Sequence, residues 1–154
     1  MNLQIYPTDF GSLTYCRLAN KLYLKVADLA ALEADYYKAI EIYEKVAASS
    51  ISNNLMKYSV KEYFLKAGIC HLATKDTVAV ERALASYRDQ DPAFASTREH
   101  QLLADLHGAI QAGDQDQFTD KLFLFDQTSK LDKWKTAIFV RIKGQIEEAD
   151  NEFS

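Results

Sequence analysis

The side chains able to do chemistry in this sequence are few, and their spacing limits what they can do. His71, His100 and His107 stand apart. No His-Glu-x-x-His helix joins two of them, and no third ligand is spaced to complete a metal site. Each reads as a structural or surface residue. Cys16 and Cys70 make neither a metal-spaced set nor a disulfide framework. Cys70 lies in an apolar run and reads as a small core residue rather than a nucleophile. Glu147 and Glu148, being adjacent, point to different sides of a helix, unlike the facing carboxylates of glycoside hydrolysis. A glycine-rich phosphate loop is missing as well. No catalytic, metal or cofactor site is expected, and the chain is not expected to be an enzyme.

Charge placement is more informative. Lys21 and Lys25 stand four apart, as do Lys57 and Lys61, so each pair shares one face of a helix. Both pairs fall on the first helices of consecutive helix pairs, and Arg98 begins the first helix of the next. If first helices line one face, these five cations form a stripe suited to an acidic, elongated partner. At the other extreme, Glu147, Glu148, Asp150 and Glu152 follow Lys143 with no basic residue among them. Acidic ends are usually solubilising. Here they sit at a helix C-terminus whose dipole is already negative, so helix stability does not explain them.

The elements that must hold these residues are helical. With 154 residues, 48% hydrophobic and 26% charged, the chain suits one globular domain with a working core. Five Gly and two Pro leave few turn signals, which favours long helices over many short strands. A net charge of −4 argues against a nucleic-acid partner. The opening MNLQIYPTDFGS has no basic region followed by an apolar core, and no run of 18 apolar residues exists, so neither a signal peptide nor a membrane span is expected. A cytoplasmic helical domain is the expectation.

The stretch that organises the chain is Asn54–Thr74, read as one helix capped by Asn54, with Val60, Phe64, Ala67 and His71 on a single stripe. Ala67 and Gly68 leave room for a neighbouring helix. Around it the periodicity predicts helices over Leu18–Leu32, Ala34–Ala48, Thr77–Arg88 (capped by Asp76), Thr97–Ala112 (ended by Gly113), Gln115–Thr128 and Asp132–Ala149. Leu18, Leu22, Val26 and Leu29 share one face of the first of these. Residues 1–16 show no period and read as an irregular segment. The remainder, 17–154, reads as a helical-repeat domain ending in the acidic tail.

Aromatic, alanine and aromatic recur at tetratricopeptide spacing in Tyr36, Ala39 and Tyr43. Val80, Ala83 and Tyr87 follow the pattern in part, as do Phe118, Lys121 and Phe125. The expected fold is therefore all-α, a right-handed superhelical stack of antiparallel helix pairs. Such stacks offer a concave face and edges for binding rather than a catalytic cleft.

The runs NKLYLKVADLAAL, YKAIEIYEKV, LMKYSVKEYFLKAGICHLA, DPAFASTRE, KLDKW and RIKGQIEEADNEF resemble the carboxy-terminal half of alpha-type soluble NSF attachment proteins. The resemblance covers roughly Ala19 to the end. It implies a cytoplasmic adaptor, peripheral on membranes, that recruits the hexameric ATPase NSF to SNARE complexes and stimulates it to disassemble them during vesicle fusion. By position, the family's SNARE-gripping cations fall on Lys21, Lys25, Lys57, Lys61 and Arg98. Its NSF-contacting acids fall on Asp76, Glu147, Glu148, Asp150 and Glu152. A further acidic trio of the family is replaced by Gly108, Gln111 and Ala112, with Asp105, Asp114 and Asp116 nearby. Phe153 replaces a penultimate leucine that assists ATPase stimulation.

The front of the chain departs from that pattern. Family members carry a similar length of repeats before this region, where MNLQIYPTDFGSLTYC stands instead. The expectation is a fragment, a shortened paralogue or a wrongly assigned gene product. Two alternatives accompany the adaptor reading: a generic helical-repeat module for another protein, and a truncated, inhibitory form of the adaptor.

Overall fold

Three turns repeat one local solution. In each, a residue in the left-handed region ends a helix and the aspartate after it caps the next. Ala34 (φ 65°) precedes Asp35, Lys75 (φ 65°) precedes Asp76, and Gly113 (φ 67°) precedes Asp114. Each aspartate Oδ1 accepts a backbone N–H three residues on, from Lys38, Ala79 and Gln117. These are the N-caps of α2 (Tyr36–Ile51), α4 (Thr77–Gln90) and α6 (Gln115–Thr128). Their partners are α1 (Phe10–Leu32), α3 (Val60–Ala73) and α5 (Arg98–Ala112), and α7 (Lys133–Glu152) follows. The described residues thus form three tight antiparallel pairs plus a final helix, all-α as expected. This computed structural model describes residues 10–152, and no strand occurs among them.

Only glycine occupies the left-handed region without a Cβ penalty, which for other residues is about 1–2 kcal/mol. Glycine's extra freedom in the unfolded chain returns part of that. Exposed Ala34 is therefore expected to gain about 0.5–1 kcal/mol on Ala34→Gly, read from the urea midpoint. A loss of stability would show that the turn is held by something other than its backbone geometry.

α3 is the hub, packed against α2, α4, α5 and α7. Val60, Phe64, Leu65, Ala67, Gly68, Ile69, Cys70, Leu72 and Ala73 are all buried, so it lacks the single inward face expected. Gly68 is where α5 approaches: a Cβ there would overlap the Leu103 side chain. Phe64 stacks on Tyr87 of α4 at 4.4 Å and meets Phe94 edge-on at 5.2 Å. From α2, Glu44 accepts from the Tyr87 hydroxyl at 2.6 Å and lies 3.2 Å from His71 Nε2. Burial pushes the Glu44 carboxyl up, but those two hydrogen bonds and the His71 charge outweigh it and hold it below its ordinary value.

Two helix starts differ from the sequence reading. α1 begins at Phe10, so residues 10–16, expected to be irregular, are helical; residues 1–9 lie outside the described part. Gly11 sits within the first turn of α1, where a glycine interrupts little, and Pro7 precedes it. Asn54 caps nothing. Asn53 instead accepts the Leu55 N–H at 2.9 Å, an Asx turn that competes with helical bonding. A 3₁₀ turn, Lys57–Ser59, then leads into α3. Lys57 and Lys61 therefore straddle a junction rather than sharing one continuous helix.

The last helix closes the stack on its first. Trp134 Nε1 donates to the Asp28 carbonyl at 3.0 Å. Arg141 donates to the Ala31 and Leu32 carbonyls at the C-terminus of α1, the first of which also accepts the Ala34 N–H. Lys135, buried despite its charge, pairs with Glu62 of α3 and with Asp132 at 3.3 Å. At the centre of this closure, Asp28 Oδ1 accepts from the Tyr43 hydroxyl and from Lys66 Nζ at 2.9 Å. Lys66 Nζ also lies 4.9 Å from the Trp134 ring centroid.

Candidate functional site

The alternation of helices assigns every connection to one of two ends. One end holds the α2–α3, α4–α5 and α6–α7 connections. The other holds the three aspartate-capped turns and the end of α7.

The five expected cations belong to four elements and are all exposed. Lys21 and Lys25 lie on α1, and Lys57 lies in the 3₁₀ turn with its Nζ 5.6 Å from the Tyr58 ring centroid. Lys61 is in the first turn of α3 and Arg98 is the first residue of α5. The structure brings two of them to neighbouring helix starts: Lys61 Nζ is 3.8 Å from Glu99 Oε1, next to Arg98. Arg98 reaches the other way and donates to Ser129 Oγ at 2.8 Å. Lys61–Glu99 is a long, half-exposed pair worth little, so Lys61 remains free for a partner. Lys21 lines a groove of about 510 Å³ with Arg17, Leu24, Leu55, Met56 and Tyr63. That groove ties α1 to the segment leading into α3, so Lys21 and Lys57 flank the same junction. Lys25 lies one turn further along α1.

Arg17 was not among the expected cations. It stands four before Lys21, as Lys21 stands four before Lys25, and that continued spacing was visible in the sequence.

The acids gather at the opposite end. Glu147, Glu148, Asp150 and Glu152 are exposed on the last turns of α7. Phe153 lies outside the described residues. Gln145 donates to the Ala73 carbonyl at 3.2 Å, which sets this part of α7 beside the turn holding Asp76. Asp76 caps α4 with one oxygen and is otherwise exposed. Asp150 lines a cleft of about 530 Å³ with Asp114 and Asp116. Asp114 and Asp116 therefore extend the acidic surface across the α5–α6 turn. Asp105 does not join them; it pairs with Lys121 at 3.4 Å. That pair also explains a lysine in place of the repeat's alanine, because Lys121 reaches from α6 to α5.

Among the described residues no group of three His, Cys, Asp or Glu side chains could hold a metal ion. Burial pushes the Cys70 thiol up to about 12, which leaves it un-ionised at neutral pH. No described helix is long and apolar enough to cross a membrane.

The sequence profile of the family described as "Soluble NSF attachment protein, SNAP" matches residues 11–147. The chain belongs to that family. The match begins inside the segment 1–16, where no likeness was expected. Among relatives of this SNAP chain, the probable vesicular-fusion protein sec17 homolog of Neurospora crassa is 57% identical over 137 residues, 89% of this chain and 47% of that protein. The Schizosaccharomyces pombe homolog is 53% identical over the same shares. Human alpha-soluble NSF attachment protein is 40% identical over 129 residues, 84% of this chain and 43% of that protein. This SNAP chain spans about half the length of the curated relatives it matches.

Proposed function

We propose that this chain is an adaptor without catalytic activity of its own, peripheral on membranes through its partners, with its two charged surfaces meeting different partners. The cations Lys21, Lys25, Lys57, Lys61 and Arg98, on the α1 flank and at the starts of α3 and α5, meet an acidic helical bundle of the SNARE type. The acids Glu147, Glu148, Asp150 and Glu152, with Asp76 beside them, recruit an NSF-type hexameric ATPase. Phe153 adds an apolar contact next to those charges. The supporting observation is that these named cations and these named acids lie toward opposite ends of one helical stack, in a chain related to NSF attachment and vesicular-fusion proteins. Charge in this arrangement steers and orients partners more than it supplies raw affinity.

The test is a pull-down with a purified SNARE bundle and with NSF. Lys21→Glu with Lys61→Glu is expected to weaken bundle binding roughly tenfold at low salt, since single exposed contacts give only about 0.2–1 kcal/mol each. The loss should shrink in high salt as the attraction is screened. Removal of residues 147–154 is expected to abolish NSF recruitment with the fold intact, whereas Phe153→Ala spares recruitment and lowers ATPase stimulation. Unchanged bundle binding in the double reversal would remove the cations from the mechanism. Unchanged recruitment after the deletion would make the tail a solubilising end.

A further inference from the structure

The connection between α6 and α7, residues 129–132, lies outside any helix. Ser129 opens it with extended backbone (φ −141°, ψ 101°) and a half-buried side chain. Its Oγ accepts from Arg98 Nη2 at 2.8 Å. Other hydroxyls at this end are tied to their own turns: Ser96 donates to the Ala93 carbonyl, Thr97 to that of Phe94 and Thr128 to that of Phe125. Ser129 instead meets an arginine from a different helix pair. Lys130 follows it and Lys133 begins α7, both exposed. The nearby acids are already engaged. Asp126 accepts the Leu131 N–H and pairs with Lys130, while Asp132 accepts the Lys135 N–H and pairs with Lys135. Glu99, next to Arg98, faces Lys61.

We propose that Ser129 is a phosphorylation site whose phosphate withdraws Arg98 from the cationic surface. An extended turn with an aspartate three residues to either side suits a protein kinase that reads acidic neighbours. The Ser129 Oγ attacks the γ-phosphorus of ATP, the Oγ–P bond forms as the bond to ADP breaks, and the hydroxyl proton passes to the kinase's base. The product carries a charge of about −1.5 to −2 and three acceptor oxygens where a neutral oxygen now meets Arg98. A guanidinium binds phosphate through two parallel N–H bonds, so the single contact becomes a charge-assisted fork. Lys133 adds counter-charge, as does Lys130, whose exposed pair with Asp126 is worth little. Arg98 is then neutralised toward an acidic partner. That consequence for binding rests on the adaptor reading, whereas the site and its pairing with Arg98 do not.

The full chain, incubated with ATP and an acid-directed protein kinase of the casein kinase type, is read by mass spectrometry. A phosphate on Ser129 is expected, absent from Ser129→Ala. A folded chain left unmodified at Ser129 overturns the site. The full chain made with phosphoserine encoded at position 129 is then titrated by phosphorus NMR. Its phosphate should lose the second proton about half a unit lower in pH than in the same chain carrying Arg98→Gln, because the guanidinium favours the dianion. Equal titration in the two chains overturns the pairing. Pull-down with the SNARE bundle at low salt reads the consequence, and the phosphorylated chain should bind severalfold more weakly than the unmodified one. Equal binding overturns the withdrawal of Arg98. If the unmodified chain itself captures no bundle, the adaptor reading fails, and the titration alone decides for or against the phosphate–Arg98 pair.

Discussion

Phe64→Ala is expected to lower stability by about 3–5 kcal/mol, the usual cost of an aromatic side chain removed from a packed interior. The value lies toward the upper part of that range for a local reason. Phe64 is fully buried, stacks on Tyr87 with an interplanar angle of 13° and meets Phe94 edge-on. Each such pair adds about 0.5–1.5 kcal/mol beyond the buried area. The cavity would open where α3, α4 and the 3₁₀ turn Pro92–Ser96 meet, so collapse in any one direction breaks another contact. Against a typical total of about 5–15 kcal/mol, this is a large share of what the fold has. Urea denaturation gives the number directly. A loss under about 1.5 kcal/mol would show that the site relaxes and that the ring cluster is not the keystone of the α3–α4 junction.

Asp28→Ala should cost about 2–3 kcal/mol, below the 3–5 kcal/mol of fully buried pairs because Asp28 keeps some contact with water. Lys66 would lose its ion pair and keep the Trp134 and Tyr43 ring faces and the charge of Asp132 nearby. The Tyr43 hydroxyl would lose its acceptor as well. Burial first, and then the neighbouring carboxylate, push that phenol far above its usual range, so it is a committed donor. Asp28→Asn should cost less, since an acceptor remains in place. If Asp28→Ala costs no more than about 0.5 kcal/mol, the pair behaves as an ordinary surface ion pair. The closure of α7 on α1 would then rest on Trp134 and Arg141 alone.

Much of the architecture was legible because it follows from local pattern. Ala39, Tyr43, Val80, Ala83, Tyr87, Phe118 and Phe125 are buried where the aromatic and alanine spacing put them. Asp76 begins and Gly113 ends a helix as expected, and Gly68 marks a close approach. The repeat was more visible in its turns than its spacing suggested. An aspartate cap closes each pair, yet the residue before it is alanine, lysine or glycine, and only the glycine signals a left-handed turn by its type. Periodicity also groups Leu18, Leu22, Val26 and Leu29 without saying whether they face in or out. Alanines on the opposite face won the interior because they let α2 approach closely. Lys66 and Lys135 were not legible as structural residues, since Asp28 and Glu62, which pair with them across the fold, lie far away in the chain. The sorting of charge required knowing which turns share an end, and only the antiparallel order supplies that.

The bond from Trp134 to Asp28 spans 106 residues and that from Arg141 to Ala31 spans 110, in a chain of 154. In an open array each unit touches only its neighbours, so its ends fray and its stability is a sum over units. Here α1 and α7 hold each other, and neither can melt without exposing the other. Unfolding should therefore be a single cooperative step with no early loss from either end. The same link slows assembly, because most of the chain must be ordered before its ends can meet and return the entropy of closing so long a loop. A helical fold with mostly local contacts thus acquires, through one tryptophan and one arginine, a slow last step that an open array of equal length does not have.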